Sequence, residues 1–167
     1  MRIRHGQRTK LGLLILLGST LGACLKPEKF PDEPSISYKS FEQFGDSASL
    51  TISFTDGDGD VGLDESDSSA PFDTASPYYN NLFVDYEELR NGTWTPITFE
   101  IPLYYRIPRI TPTGQNKALE GEIAVAIEPW PIVPGNTYDT VRFHVRLYDR
   151  ALNESNRVTS DPIKVVQ

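Results

Sequence analysis

Hydrophobic side chains recur at every second position in several short runs of this chain. In Ser49-Leu50-Thr51-Ile52-Ser53-Phe54-Thr55, Leu50, Ile52 and Phe54 share one face and hydroxyls occupy the other. Period two with one apolar face predicts a half-buried antiparallel strand. Val141–Tyr148 repeats the pattern, with Val141, Phe143, Val145 and Leu147 inward, and Ile123, Val125 and Ile127 form a third instance. Asn91-Gly92 separates Leu82–Arg90 from Thr93–Ile101. Both residues tolerate the positive φ of a type I′ turn, so a hairpin is predicted there. Weaker strands are predicted over Ser35–Phe41, Leu103–Ile110 and Val158–Val166. Pro102, Pro108 and Pro112 confine the middle one to an edge or an irregular run. No segment shows a sustained helical period. About eight short strands between turn signals predict an all-β fold, an antiparallel β-sandwich of 7–9 strands.

The N-terminus breaks this pattern. Arg2, Arg4, Arg8 and Lys10 precede an uncharged run, Leu11–Ala23, which is too short for a comfortable membrane span of about 20 residues. Together they read as a cleaved secretory signal over residues 1–23. The run ends Leu21-Gly22-Ala23-Cys24. This resembles a bacterial lipobox, in which the cysteine is acylated and becomes the mature N-terminus. Cys24 is the single cysteine of the chain, so no intramolecular disulfide can form. Residues 24–34, with three prolines and a high density of charge, read as the lipidated cysteine and an extended tether. Residues 35–167 form the sandwich. Removing the signal leaves 12 basic against 23 acidic residues, a net charge of −11. That excludes nucleic acid as a partner, because such affinity depends on neutralising phosphates. It also excludes electrostatic docking on anionic lipid, so the lipid on Cys24 is the expected membrane attachment.

Pro134-Gly135-Asn136-Thr137-Tyr138, the alternating strand after it, and Asp149-Arg150-Ala151-Leu152-Asn153-Glu154-Ser155 resemble the last third of a fibronectin type III-like or related immunoglobulin-like domain. The resemblance implies a corner tyrosine at Tyr138. The domain is longer than about 100 residues, and the surplus falls in Gly62–Asn81, read as a long loop, and Pro102–Leu119, read as an extra edge hairpin. A strand ending Phe54–Asp60, paired with the late Asp149–Asn156 segment, is also similar to small envelope lipoproteins of Bacteroidetes. That resemblance implies a place, the outer membrane, and a fold rather than an activity.

Charge is concentrated in one stretch. From Asp56 to Asp67 there are six carboxylates in twelve residues and no lysine or arginine. Asp56, Asp58 and Asp60 alternate with glycines that let the backbone fold tightly. Calcium takes six to eight oxygens, largely carboxylate and carbonyl. The pattern departs from the EF-hand loop at its sixth and twelfth positions, Val61 and Asp67, and a strand precedes it, so a calcium loop on a β scaffold is expected instead. If Ser49–Thr55 is strand B and Val141–Tyr148 strand F, the B–C and F–G loops share one end of the sandwich. Asp149 and Asn153 would then join Asp56, Asp58 and Asp60 as metal ligands. Asp64, Glu65 and Asp67 are left outside, because the loop can turn away after Gly62. The alternative is a solvated acidic loop, with Asn153 capping the F–G turn.

No catalytic constellation emerges. His144 alternates outward with Arg142 and Arg146 and is the single histidine after the signal. Asp85, Glu87 and Glu88 are expected on the solvent face of their strand. Two functions fit. One is a non-enzymatic, lipid-anchored binding or structural module with structural Ca2+, whose partner is an envelope protein or a glycan. The other is an accessory subunit of a larger envelope complex without a metal.

Overall fold

The computed structural model describes residues 29–110, 112, 117–135 and 138–166. The signal, Cys24, the start of the tether, and Asn136 and Thr137 lie outside the described residues. Nine strands are present: β1 (Ser35–Phe44), β2 (Ser47–Asp56), β3 (Leu82–Arg90), β4 (Thr93–Ile97), β5 (Leu103–Tyr105), β6 (Leu119–Ile127), β7 (Thr140–Leu147), β8 (Val158–Thr159) and β9 (Ile163–Lys164). No helix occurs among the described residues. One antiparallel sheet has the order β1-β2-β6. In the other, β4-β3-β7-β8, β5 also pairs with β3 and β9 with β7. The fold is a β-sandwich, and β2 and β7 stand where the second and sixth strands were expected.

The alternation of β2 and β7 explains the core. Leu50, Ile52 and Phe54 of β2 and Val141, Phe143, Val145 and Leu147 of β7 are all buried, with Ile123, Val125 and Ile127 of β6 beside β2. Burying a large aliphatic or aromatic side chain contributes about 2 kcal/mol, so these positions dominate the packing. Phe41 bridges the sheets, stacking on Phe143 at 5.3 Å and on Trp130 at 4.9 Å. Trp130 is therefore core, held by its indole N–H to Gln43 Oε1 at 2.8 Å.

Three expectations need revision. The strand predicted over Thr93–Ile101 ends at Ile97, because Phe99 turns inward to pack on Tyr86 at 5.3 Å. In place of the hairpin predicted over Pro102–Leu119, the described residues of that span before β6 hold one three-residue strand, β5, paired with β3. Pro102, Pro108 and Pro112 lack the N–H groups a longer ladder needs. Glu88 is not on the solvent face: it shares the phase of Leu82, Val84 and Tyr86 and is fully buried, ion-paired with Arg90 at 2.7 Å.

Candidate metal centre

β2 ends at Asp56, whose carboxylate is fully buried because it continues the inward phase of Leu50, Ile52 and Phe54. The chain then runs through Gly57–Asp60 and is stitched down at Val61–Leu63. Val61 bridges Asp149 at the end of β7, and Leu63 bridges Pro108. Leu63 N–H donates to Ile107 O at 2.9 Å, and Arg150 N–H donates to Asp60 O at 3.3 Å. The loop after β2 is thus sewn to the loop after β7, as the topology required.

The result is a convergence of carboxylates from two segments 89 positions apart in the chain. One oxygen from each of Asp56, Asp60 and Asp149 lies within 4.8 Å of the others. Each also has an oxygen that accepts from the backbone. Asp56 Oδ2 accepts from Asp60 N–H at 2.9 Å, and Asp60 Oδ2 accepts from Ala151 N–H at 3.1 Å. Asp149 Oδ1 accepts from Asn153 N–H at 2.7 Å. These bonds fix the side chains, while Oδ1 of Asp56, of Asp58 and of Asp60 are buried with no hydrogen-bond partner. Buried carboxylate oxygens without a donor are costly. Burial first, then the charges of Asp58 and Asp60, raises Asp56 to a pKa of about 6, although the bond from Asp60 N–H pulls the other way. Burial, then the charges of Asp149 and Asp58, raises Asp60 to about 6 as well. Asp149 is raised by burial and by Asp58, against the stabilising bonds from Asn153.

Of the five residues proposed from sequence, the structure brings Asp56, Asp60 and Asp149 to one centre. Asp58 adjoins them, its charge acting on all three. Asn153 Nδ2 donates to Asp149 Oδ2 at 2.8 Å and so orients that carboxylate. These residues offer only oxygen, a set that would suit a hard cation such as calcium better than zinc or copper. Gly62, at φ +92°, reverses the chain and sends the rest of the acidic stretch elsewhere. There Asp64 meets Arg109 at 2.9 Å, and Asp67 is gripped by both Arg150 nitrogens. Arg150, chiefly through its hydrogen bond, holds the Asp67 carboxyl below its usual range. Arg106 donates to the main-chain oxygens of Asp64, Asp67 and Tyr79. These arginines were not anticipated. Their placement depends on tertiary folding, although Arg150 adjoins a predicted ligand.

Elsewhere, a groove of about 310 Å³ crosses the outer face of the larger sheet between β4 and β5, lined by Asp85, Glu87, His144, Arg157 and Tyr104 among others. Its charged groups are engaged with one another. Glu87 Oε2 receives Arg142 at 2.6 Å and His144 Nε2 at 3.1 Å, and Asp85 pairs with Arg157 at 3.0 Å. His144 Nδ1 is 2.8 Å from Thr159 Oγ1, and Arg142 lies over the Trp94 ring at 4.3 Å.

Compared with known families, curated proteins and solved structures, the chain matches none.

Proposed function

We propose that this protein is a non-enzymatic envelope module, anchored by lipid on Cys24, whose sandwich is stiffened at one pole by a calcium ion held by Asp56, Asp58, Asp60 and Asp149. One observation carries the metal reading: three carboxylate oxygens are buried without a donor, around a centre shared with Asp149. Burial on this scale speaks against a loop that is merely solvated. The strand order β1-β2-β6 against β4-β3-β7 supports the fibronectin type III-like resemblance. Lipid attachment follows from the lipobox resemblance and the outer membrane from the resemblance to Bacteroidetes lipoproteins; an envelope protein or a glycan is the partner we propose.

Extracellular calcium modules bind with Kd of about 10⁻⁴–10⁻³ M. At ten-fold excess the linkage contributes about 1.4 kcal/mol, enough to rigidify loops and not to drive folding. Calorimetric titration of the mature chain, after exhaustive chelation, tests the reading. A single-site isotherm with calcium and a matching rise in melting temperature are expected. Neither heat nor shift would leave the accessory-subunit reading, with no metal, in its place.

A further inference from the structure

Gly57 lies between two of the proposed ligands, and the N-terminal segment covers it. A Cβ at Gly57 would collide with the carbonyl oxygens of Phe30 and Pro31, the latter at 2.6 Å. Gly59 is covered likewise by the carbonyl of Lys117 and the ring of Pro112. Three main-chain oxygens from two other segments are therefore packed against a loop that already carries unpartnered carboxylates. A carbonyl oxygen bears partial negative charge, so without a cation these groups add to the repulsion. A divalent ion reverses the sign for both sets. Beyond these contacts, what holds the N-terminal segment is apolar burial at Phe30 and Pro34. Among the described residues no main-chain hydrogen bond joins residues 29–34 to the sandwich, and Lys29, Pro31, Asp32 and Glu33 are exposed. Phe30 is half-buried and Pro34 buried.

We propose that the cation at this centre also controls docking of the segment Lys29–Pro34: the bound ion holds it on the loop after β2, and loss of the ion releases it. This rests on the metal reading. It gives the site a use beyond stiffening. With the segment docked, four residues (25–28) separate Cys24 from the sandwich, a reach of at most about 14 Å. With it released, ten residues (25–34) do so, a reach of about 35 Å. For a chain anchored at Cys24, ion occupancy changes the stand-off of the sandwich from the bilayer by more than twofold.

The test uses the mature lipidated chain with Asp32→Cys and Ser69→Cys carrying nitroxides, both sites being exposed. Distances between the labels are read by pulsed electron paramagnetic resonance in calcium and in EGTA, with calorimetry on the same samples. A narrow distance distribution in calcium that broadens and lengthens in EGTA is expected. Calcium heat with an unchanged distribution overturns the coupling and leaves the metal reading standing. Absence of heat overturns the metal reading itself, and the coupling with it. Since coupling is reciprocal, Gly57→Ala, which displaces the segment and keeps every carboxylate, is expected to weaken calcium binding about tenfold. An unchanged affinity in that variant, with the distribution broadened by displacement of the segment, also refutes the proposal. The wild-type comparison holds even if Gly57→Ala fails to fold.

Discussion

Replacing Asp56 by asparagine is expected to raise stability in the absence of calcium and to abolish the gain that calcium gives, so that the two proteins melt at about the same temperature in calcium. The Asp56 carboxylate is fully buried and its pKa is pushed up to about 6. A rise of about two units at 1.36 kcal/mol each puts about 3 kcal/mol against the charged form at neutral pH. Part of that belongs jointly to Asp58 and Asp60, so one substitution recovers roughly half, about 1.5 kcal/mol. Asparagine keeps an oxygen for Asp60 N–H and places an amide donor where Oδ1 had none. At about 3–5 °C per kcal/mol for a domain of this size, the variant melts about 5 °C higher in EGTA. In calcium at ten times Kd the wild type gains about 1.4 kcal/mol, and the variant gains nothing. Thermal melts at pH 7.5 in EGTA and in calcium read both effects. A variant less stable than wild type in EGTA refutes the stored repulsion. An unchanged calcium shift removes Asp56 from the ligand set.

The same pKa shifts set a pH dependence. Asp56 and Asp60 hold protons in the folded state up to pH about 6 and lose them near 3.8 when unfolded, so metal-free stability falls as pH rises between about 4 and 6. Melting in EGTA at pH 5 should exceed that at pH 7, and calcium should reverse the order; a rise with pH in EGTA sinks the argument. Arg90→Ala leaves Glu88 buried beside a missing charge and is expected to cost about 3 kcal/mol in urea unfolding, against about 1 for Glu88→Gln. Equal costs would show that Arg90 compensates little. Asn153→Ala frees Asp149 to rotate and should weaken calcium binding several-fold in calorimetry, with the stoichiometry unchanged; loss of the site altogether would make Asn153 a ligand. Cys24→Ala should move the protein from the membrane to the soluble fraction, and unaltered fractionation would remove the anchor.

The strands that could be read from the sequence are those whose packing is local. β2 and β7 carry alternating residues that face one core, so period two is enough to find them. Phe99, Glu88 and the span from Pro102 to Leu119 were misread because a partner elsewhere decides them. Phe99 leaves its strand for Tyr86, Glu88 turns inward to Arg90, and three prolines break a ladder that the hydrophobic pattern alone suggests. The carboxylate cluster was legible for a different reason. Topology places the loops after β2 and β7 at one end, and the acidic run of the first and Asp149 at the start of the second are visible without coordinates. Neither the arginines on Asp64 and Asp67 nor the cover over Gly57 could be read this way, since both depend on where distant backbone passes.

The distribution of arginine at this pole bears on the metal reading. Arg106, Arg109 and Arg150 all reach the loop after β2, yet they go to its second half. Arg150 follows Asp149 directly, but alternation after β7 turns it away from the cluster and onto Asp67. Asp64 and Asp67 are partly exposed, where ion pairs contribute little, typically under about 1 kcal/mol. Asp56 and Asp149 are fully buried, where a missing counter-charge costs most. A fold selected only for its own stability would spend its cations on the second pair. This one places its arginine side chains on the partly exposed carboxylates and leaves Asp56 and Asp149, among the described residues, with hydrogen-bond donors but no salt bridge. That ordering is what an ion-binding centre requires, because an internal arginine among Asp56, Asp58, Asp60 and Asp149 would compete with the cation for the same oxygens.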